Sequence, residues 1–131
     1  MIGRHRLLLR VVFVAYAVVL FVATHKPGVD VNVVPGWRLD LLIHMAAFGL
    51  WTFLLGLTGF AGDARRLGDL LVLITVGMGY AVADESSQAL PIFERVFDLT
   101  DMVANAAGAI LASLLVFFTL RMFDHPEAPQ P

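Results

Sequence analysis

Four long apolar runs divide the chain, with polar residues gathered between them. The runs cover about residues 7–23, 39–60, 69–86 and 99–123. A helix rising 1.5 Å per residue needs about 20 apolar residues to cross a hydrocarbon core about 30 Å thick. Backbone amides have no water to bond inside a bilayer, so such runs are expected to be helical. The pattern predicts an all-α protein: one four-helix transmembrane domain over residues 1–123, then a flexible polar tail at 124–131 (DHPEAPQP). The first run follows Arg4 and Arg6, as the apolar region of a signal peptide follows basic residues. It has no clear small-residue cleavage pattern and leads on to more membrane sequence, so it reads as a retained helix. The connections are a Pro/Gly-broken stretch at 24–38, a short turn at 61–69 (AGDARRLGD) and a charged stretch at 87–98. No internal repeat or second domain is visible.

Composition agrees with this pattern. Of 131 residues, 59% are hydrophobic and 15% charged, where a soluble domain has about 25% charged. The absence of cysteine excludes disulfides and thiolate metal sites. No basic tract suggests a nucleic-acid partner. With the amino terminus in the cytoplasm, Arg4, Arg6, Arg10, Arg65, Arg66 and Arg121 lie inside, against Lys26, Arg38 and Arg95 outside. Basic residues favour the cytoplasmic side. The expectation is a multi-pass protein of the cell membrane with both termini cytoplasmic.

The polar residues then fall together. Successive helical residues turn by about 100°, so Asp98, Asp101, Asn105 and Gly108 share one face of the fourth span, which continues through Ala112. On the third span Asp84 and Gln88 point the same way, with Glu85 turned well aside. On the second, Asp40 is followed one turn deeper by His44, then by Phe48 and Trp51. All three groups lie at the outward end. An unpaired charge in hydrocarbon costs about 2.5–3.5 kcal/mol on insertion scales, so these side chains should face the interior or a wet cavity. His44, Asp84 and Asn105 are expected to form one hydrogen-bonded layer, with Asp101 and Arg95 above it. Arg95 is the basic residue nearest the acids, and its planar fork suits a phosphate or carboxylate.

Simpler structural roles stand beside these. Asp40 can complement a helix start, with His44 bonding a neighbour, and Asp84, Glu85 and Gln88 can form a solvated helix end. Arg95 can clamp Asp98 and Asp101, Asn105 can join helices, and Gly108 can serve packing. Asp98 or Thr100 suits an N-cap. The aromatic residues, Trp37 and Trp51 included, read mostly as belt and lipid contacts. One His among carboxylates lacks the multi-His spacing of a zinc site, so neither metal nor cofactor is expected.

DLLIHMAAF, followed by DESSQALPIFERVFDLTDMVANAAG, resembles the VanZ-like family of small integral membrane proteins over about residues 40–112. The matching positions are Asp40, His44, Asp84, Glu85, Gln88, Pro91, Arg95, Asp101, Asn105 and Gly108. Leu41 stands where the family often has a basic residue, and Ala112 where it often has glycine. The resemblance implies an integral membrane protein; the name-giving member of the family is associated with low-level resistance to the glycopeptide teicoplanin, and a contribution of that kind is the expectation here.

Together these point to an outward-facing polar site for an anionic envelope molecule, a lipid-linked phosphate or cell-wall precursor. Its ligand-binding residues would be Asp40, His44, Asp84, Glu85, Gln88, Arg95, Asp101 and Asn105. His44, Asp84, Glu85 and Asp101 are candidates for acid–base work. No nucleophile motif accompanies them, so no reaction is assigned. The alternatives are a proton-coupled small transporter or channel subunit, and a non-catalytic scaffold. The expected partners are membrane lipids and other copies of the chain.

Overall fold

A computed structural model describes residues 2–27, 38–93 and 96–123, with side chains from residue 4 onward. It contains helices α1 (Ile2–His25), α2 (Leu39–Thr58), α3 (Leu67–Gln88) and α4 (Leu99–Met122), with a 3₁₀ turn at Pro91–Phe93 before α4. No strand occurs among the described residues. All four helices are long and apolar enough to cross a membrane. The protein is an all-α, four-helix, multi-pass membrane protein.

Helix ends follow local chemistry. Gly59, at φ 75°, closes α2 in the left-handed conformation that glycine adopts without penalty. Asp98 caps α4: its carboxylate accepts from the Thr100 N–H at 2.7 Å. The main departure from expectation is α1, which extends beyond 7–23 at both ends. At its amino end Arg4 and Arg6 continue the helix. At its carboxyl end it runs on to His25, two residues before Pro27, a residue that commonly follows helix ends.

Glycines set the packing. The backbones of α2 and α4 meet where Gly49 faces Gly108: a Cβ on Gly49 would lie 3.2 Å from the Gly108 carbonyl oxygen, and one on Gly108 would collide with the Met45 carbonyl oxygen. Gly77 on α3 likewise admits Ala109 and Thr52. Lipid tails are as apolar as leucine, so close packing of this kind does much of the work of holding membrane helices together.

The buried core runs through Leu20, Phe48, Trp51, Leu55, Leu73, Ala81 and Val116. Trp51 is buried and stacks on Tyr80 at 4.2 Å, with the rings 8° from parallel. The belt role expected of Trp51 is therefore corrected; it is packed between helices because its face of α2 turns inward. Trp37 lies outside the described residues. On α1, Tyr16 donates to the Ala47 carbonyl at 3.0 Å, but Leu7, Leu8, Val11, Val14, Val18, Val19 and Val22 remain exposed.

Candidate functional site

The carboxyl ends of α1 and α3 and the amino ends of α2 and α4 meet at one end of the bundle, and most of the buried ionisable groups lie there. Arg38, just before α2, grips Asp40 with its Nε and Nη2 at 2.9–3.0 Å. Its Nη2 also donates to Thr100 Oγ1 at 3.3 Å and lies 3.9 Å from Asp101 Oδ1. The starts of α2 and α4 are thus tied at the rim.

One turn deeper, His44 Nδ1 is 3.1 Å from Asn105 Oδ1, and His44 Nε2 is 3.4 Å from Asp101 Oδ2. Both ring nitrogens face oxygens. With the amide in this orientation, imidazole and carboxyl must hold one proton beyond neutral His44 and ionised Asp101 for both hydrogen bonds to form. Rotating the amide by 180° presents Nδ2 to the ring, and a neutral His44 can then donate to Asp101. Proton occupancy is coupled to the orientation of one amide.

The second group joins α1 to α3. Asp84 accepts from Gln88 Nε2 at 2.9 Å and from Thr24 Oγ1 at 3.2 Å, and its Oδ1 lies 3.9 Å from His25 Nδ1. His25 is buried between Phe21, stacked at 4.0 Å, and the edge-on Phe93. Its Nδ1 lies 2.8 Å from the Phe21 carbonyl oxygen, and its Nε2 lies 2.8 Å from Ser87 Oγ. Gln88 Nε2 also reaches Glu85 Oε2 at 3.3 Å, so one amide group serves two buried carboxylates. Glu85 Oε1 accepts the Asp98 N–H at 2.8 Å, locking the end of α3 to the start of α4. At that start the Thr100 hydroxyl, and then its N–H, hold the Asp98 carboxyl below the usual carboxylate range.

Two expectations need correcting. Glu85 is turned aside from Asp84, but into the bundle rather than out of it. It is 1% exposed, because α4 begins on the side to which the 100° rotation carries it. His44, Asp84 and Asn105 do not form one hydrogen-bonded layer: no bond joins His44 to Asp84 among the described residues. There are two groups, His44–Asn105–Asp101 between α2 and α4, and His25–Asp84–Gln88–Glu85 between α1 and α3. Arg95 lies outside the described residues. Asp40, which shares its face with His44, bonds Arg38 at the rim.

Sequence reasoning missed Thr24, His25 and Ser87, and gave Arg38 no role. His25 was legible in part, since Pro27 marks a helix end and a His suits a last turn. Its pairing with Asp84, 59 positions along the chain, had no local signal.

The network is not saturated. Gln88 Oε1, Asp101 Oδ1 and Asn105 Nδ2 are buried and have no hydrogen-bond partner among the described residues. Gln88 and Asn105 are wholly buried. An unmet buried polar atom costs about 1–3 kcal/mol, so these atoms, one in the α1–α3 group and two in the α2–α4 group, mark capacity for further polar contacts. Among the described residues no group of three His, Asp or Glu that could hold a metal ion occurs. Comparison with known families, with curated proteins and with solved structures finds no match to this chain.

Proposed function

We propose that the polar end of the bundle binds the head group of an envelope lipid, a lipid-linked phosphate or cell-wall precursor. The observation that carries this reading is the set of three buried atoms that have no hydrogen-bond partner among the described residues. Two are acceptors, Gln88 Oε1 and Asp101 Oδ1, and call for hydroxyl or amide donors of the kind a sugar or peptide supplies. The third, on the Asn105 amide, is a donor with Oδ1 turned to His44 and an acceptor once the amide is rotated. Arg38, which already holds Asp40, and Lys26 just beyond α1 bring positive charge to this rim, where a phosphate would compete for it. The resemblance of residues 40–112 to the VanZ-like family agrees with an envelope role and with reduced susceptibility to teicoplanin.

The reading includes a topology in which this end faces outward from the plasma membrane and both termini are cytoplasmic, supported by the six-to-three division of basic residues. An impermeant thiol label should reach a cysteine placed at Phe97 in intact cells and miss one placed at Asp63. The opposite result would turn the site inward and end the envelope reading.

Lipid mass spectrometry on gently purified protein tests the head-group claim. A prenyl phosphate or phospholipid should copurify with the wild type and be lost from Asn105→Leu and Gln88→Leu variants that still fold. Equal recovery from all three proteins would refute it.

A proton-coupled carrier is the second reading, favoured by two His–Asp pairs, the part-buried His44–Asp101 at 3.4 Å and the buried His25–Asp84 at 3.9 Å. Proton flux in liposomes that disappears in His44→Gln would move it ahead of the first.

A further inference from the structure

Ser87 Oγ, near the end of α3, lies 2.8 Å from His25 Nε2 at the end of α1. The other ring nitrogen fixes which way that contact runs. Nδ1 is 2.8 Å from the Phe21 carbonyl oxygen, which can only accept, so in the neutral ring the proton sits on Nδ1. Nε2 then carries the lone pair and accepts from the Ser87 hydroxyl. That hydroxyl has one proton and two acceptors, Nε2 and the Asp84 carbonyl oxygen at 2.7 Å. Rotation about the Cβ–Oγ bond moves the proton between them while the heavy atoms stay in place.

The imidazole is firmly held. It is buried, stacked on the Phe21 ring at 4.0 Å with the planes 27° apart, and met edge-on by Phe93 at 4.5 Å. Behind it Thr24 Oγ1, 3.0 Å from Nδ1, donates to Asp84 Oδ1 at 3.2 Å. Asp84 Oδ1 itself lies 3.9 Å from Nδ1, where it can stabilise positive charge on the ring. A hydroxyl set on a base, with the base oriented by a further group, is the arrangement that activates a serine.

Depth and access fit as well. α3 has 22 residues and spans about 33 Å, slightly more than the roughly 30 Å of hydrocarbon. Ser87, one residue from its end, therefore lies at the interface with water. It is half-buried, and Leu90 and Ile92 in the following turn are exposed.

We infer that Ser87 is a catalytic nucleophile with His25 as its general base, and that its substrate is the carboxylic ester of a fatty acyl chain presented at the membrane surface. Ser87 Oγ bonds to the ester carbonyl carbon as its proton passes to His25 Nε2. The bond from that carbon to the alcohol oxygen breaks, the alcohol leaves with the proton, and an acyl-serine remains. Water then bonds to the acyl carbon and gives a proton to Nε2; the fatty acid departs and Ser87 Oγ takes that proton back. Leu90 and Ile92 offer apolar surface to the acyl chain. The chemistry requires no bound head group, so its failure and that of the head-group reading are distinguishable.

The test uses the full-length protein in micelles and a long-chain alkyl fluorophosphonate, which forms an Oγ–P bond with an activated serine and expels fluoride. Peptide mass spectrometry should place the adduct on Ser87. Labelling should be absent from Ser87→Ala, unchanged in Ser86→Ala at the exposed neighbour, and at least about tenfold slower in His25→Gln. The protein should also hydrolyse 4-nitrophenyl decanoate, and Ser87→Ala should not.

His25 is buried and its replacement can disturb the fold, so a second comparison leaves the ring in place. The chain has no cysteine, and single Ser87→Cys and Ser86→Cys variants can be alkylated with iodoacetamide. Exposure alone favours position 86. A base 2.8 Å away reverses the order, and position 87 should react at least about tenfold faster. An unlabelled Ser87, labelling at the wild-type rate in a folded His25→Gln, ester hydrolysis that is absent or that survives Ser87→Ala, or alkylation no faster at position 87 than at 86 would each overturn the inference. None of these results would alter the lipid recovery that tests the head-group reading.

Discussion

The two ends of the bundle both carry charged residues but handle them differently. At the end where α2 leads into α3, Asp63 pairs with Arg65 two residues away at 2.6 Å, and Asp69 accepts the Asp63 N–H at 3.1 Å. Arg10 donates to the last carbonyl of α2, that of Thr58, at 3.3 Å, and its guanidinium stands 4.6 Å from the Phe60 ring centroid. These contacts finish a turn or a helix end at the surface. At the opposite end Asp84, Glu85, Gln88 and Asn105 are at most 3% exposed, and contacts such as His44–Asn105 and Thr24–Asp84 span about 60 positions. Surface pairs are screened by water and are worth little, whereas buried charges must be satisfied in detail. The first end therefore reads as architecture, and the second, with buried carboxylates and amides joined across helices, as a site.

The largest test of that contrast is Gln88→Leu against Asp63→Ala. The first leaves two buried carboxylates without their shared donor and should cost about 3 kcal/mol. The second should cost less than about 0.5 kcal/mol. Equilibrium unfolding in mixed micelles measures both, and similar values would erase the distinction between the ends.

Next comes the division of the polar end into two groups. A double-mutant cycle on His44 and Asp101 should give a coupling of about 1 kcal/mol, and one on His44 and Asp84 less than about 0.5 kcal/mol. The reverse ranking would restore a single layer. Arg10→Ala, which removes a helix-end hydrogen bond and a cation–π contact, should destabilise by about 1 kcal/mol without reducing head-group binding. A binding defect there would mean that the two ends communicate.

The smallest effect is at Asp98. Its folded-state pKa is depressed, so its contribution to stability is present above the ordinary value of 3.8 and is lost as pH falls through the lower folded value. Asp98→Ala should reduce stability slightly at neutral pH and flatten the acid limb of the melting profile. An unchanged acid limb would show that the cap does not titrate.

Local chemistry alone determined a good deal. The length and purity of the apolar runs dictate four helices, because hydrocarbon leaves the backbone no other partner. The Asp98 cap and the packing role of Gly108 could be read from residue type and position. That the polar segments gather at one end follows from alternating helix direction. Helical arithmetic states which residues share a face of one helix, but not how that helix is rotated against its neighbours. Rotation decided that Glu85 turns inward to the Asp98 N–H, that Trp51 stacks on Tyr80 rather than facing lipid, and that His44 and Asp84 join separate groups. The two extra residues that bring Thr24 and His25 into α1 carry them to Asp84, 60 and 59 positions away. Such pairings depend on packing between helices, where the short side chains of Gly49, Gly77 and Gly108 set how closely the backbones approach. Only the assembled bundle specifies that.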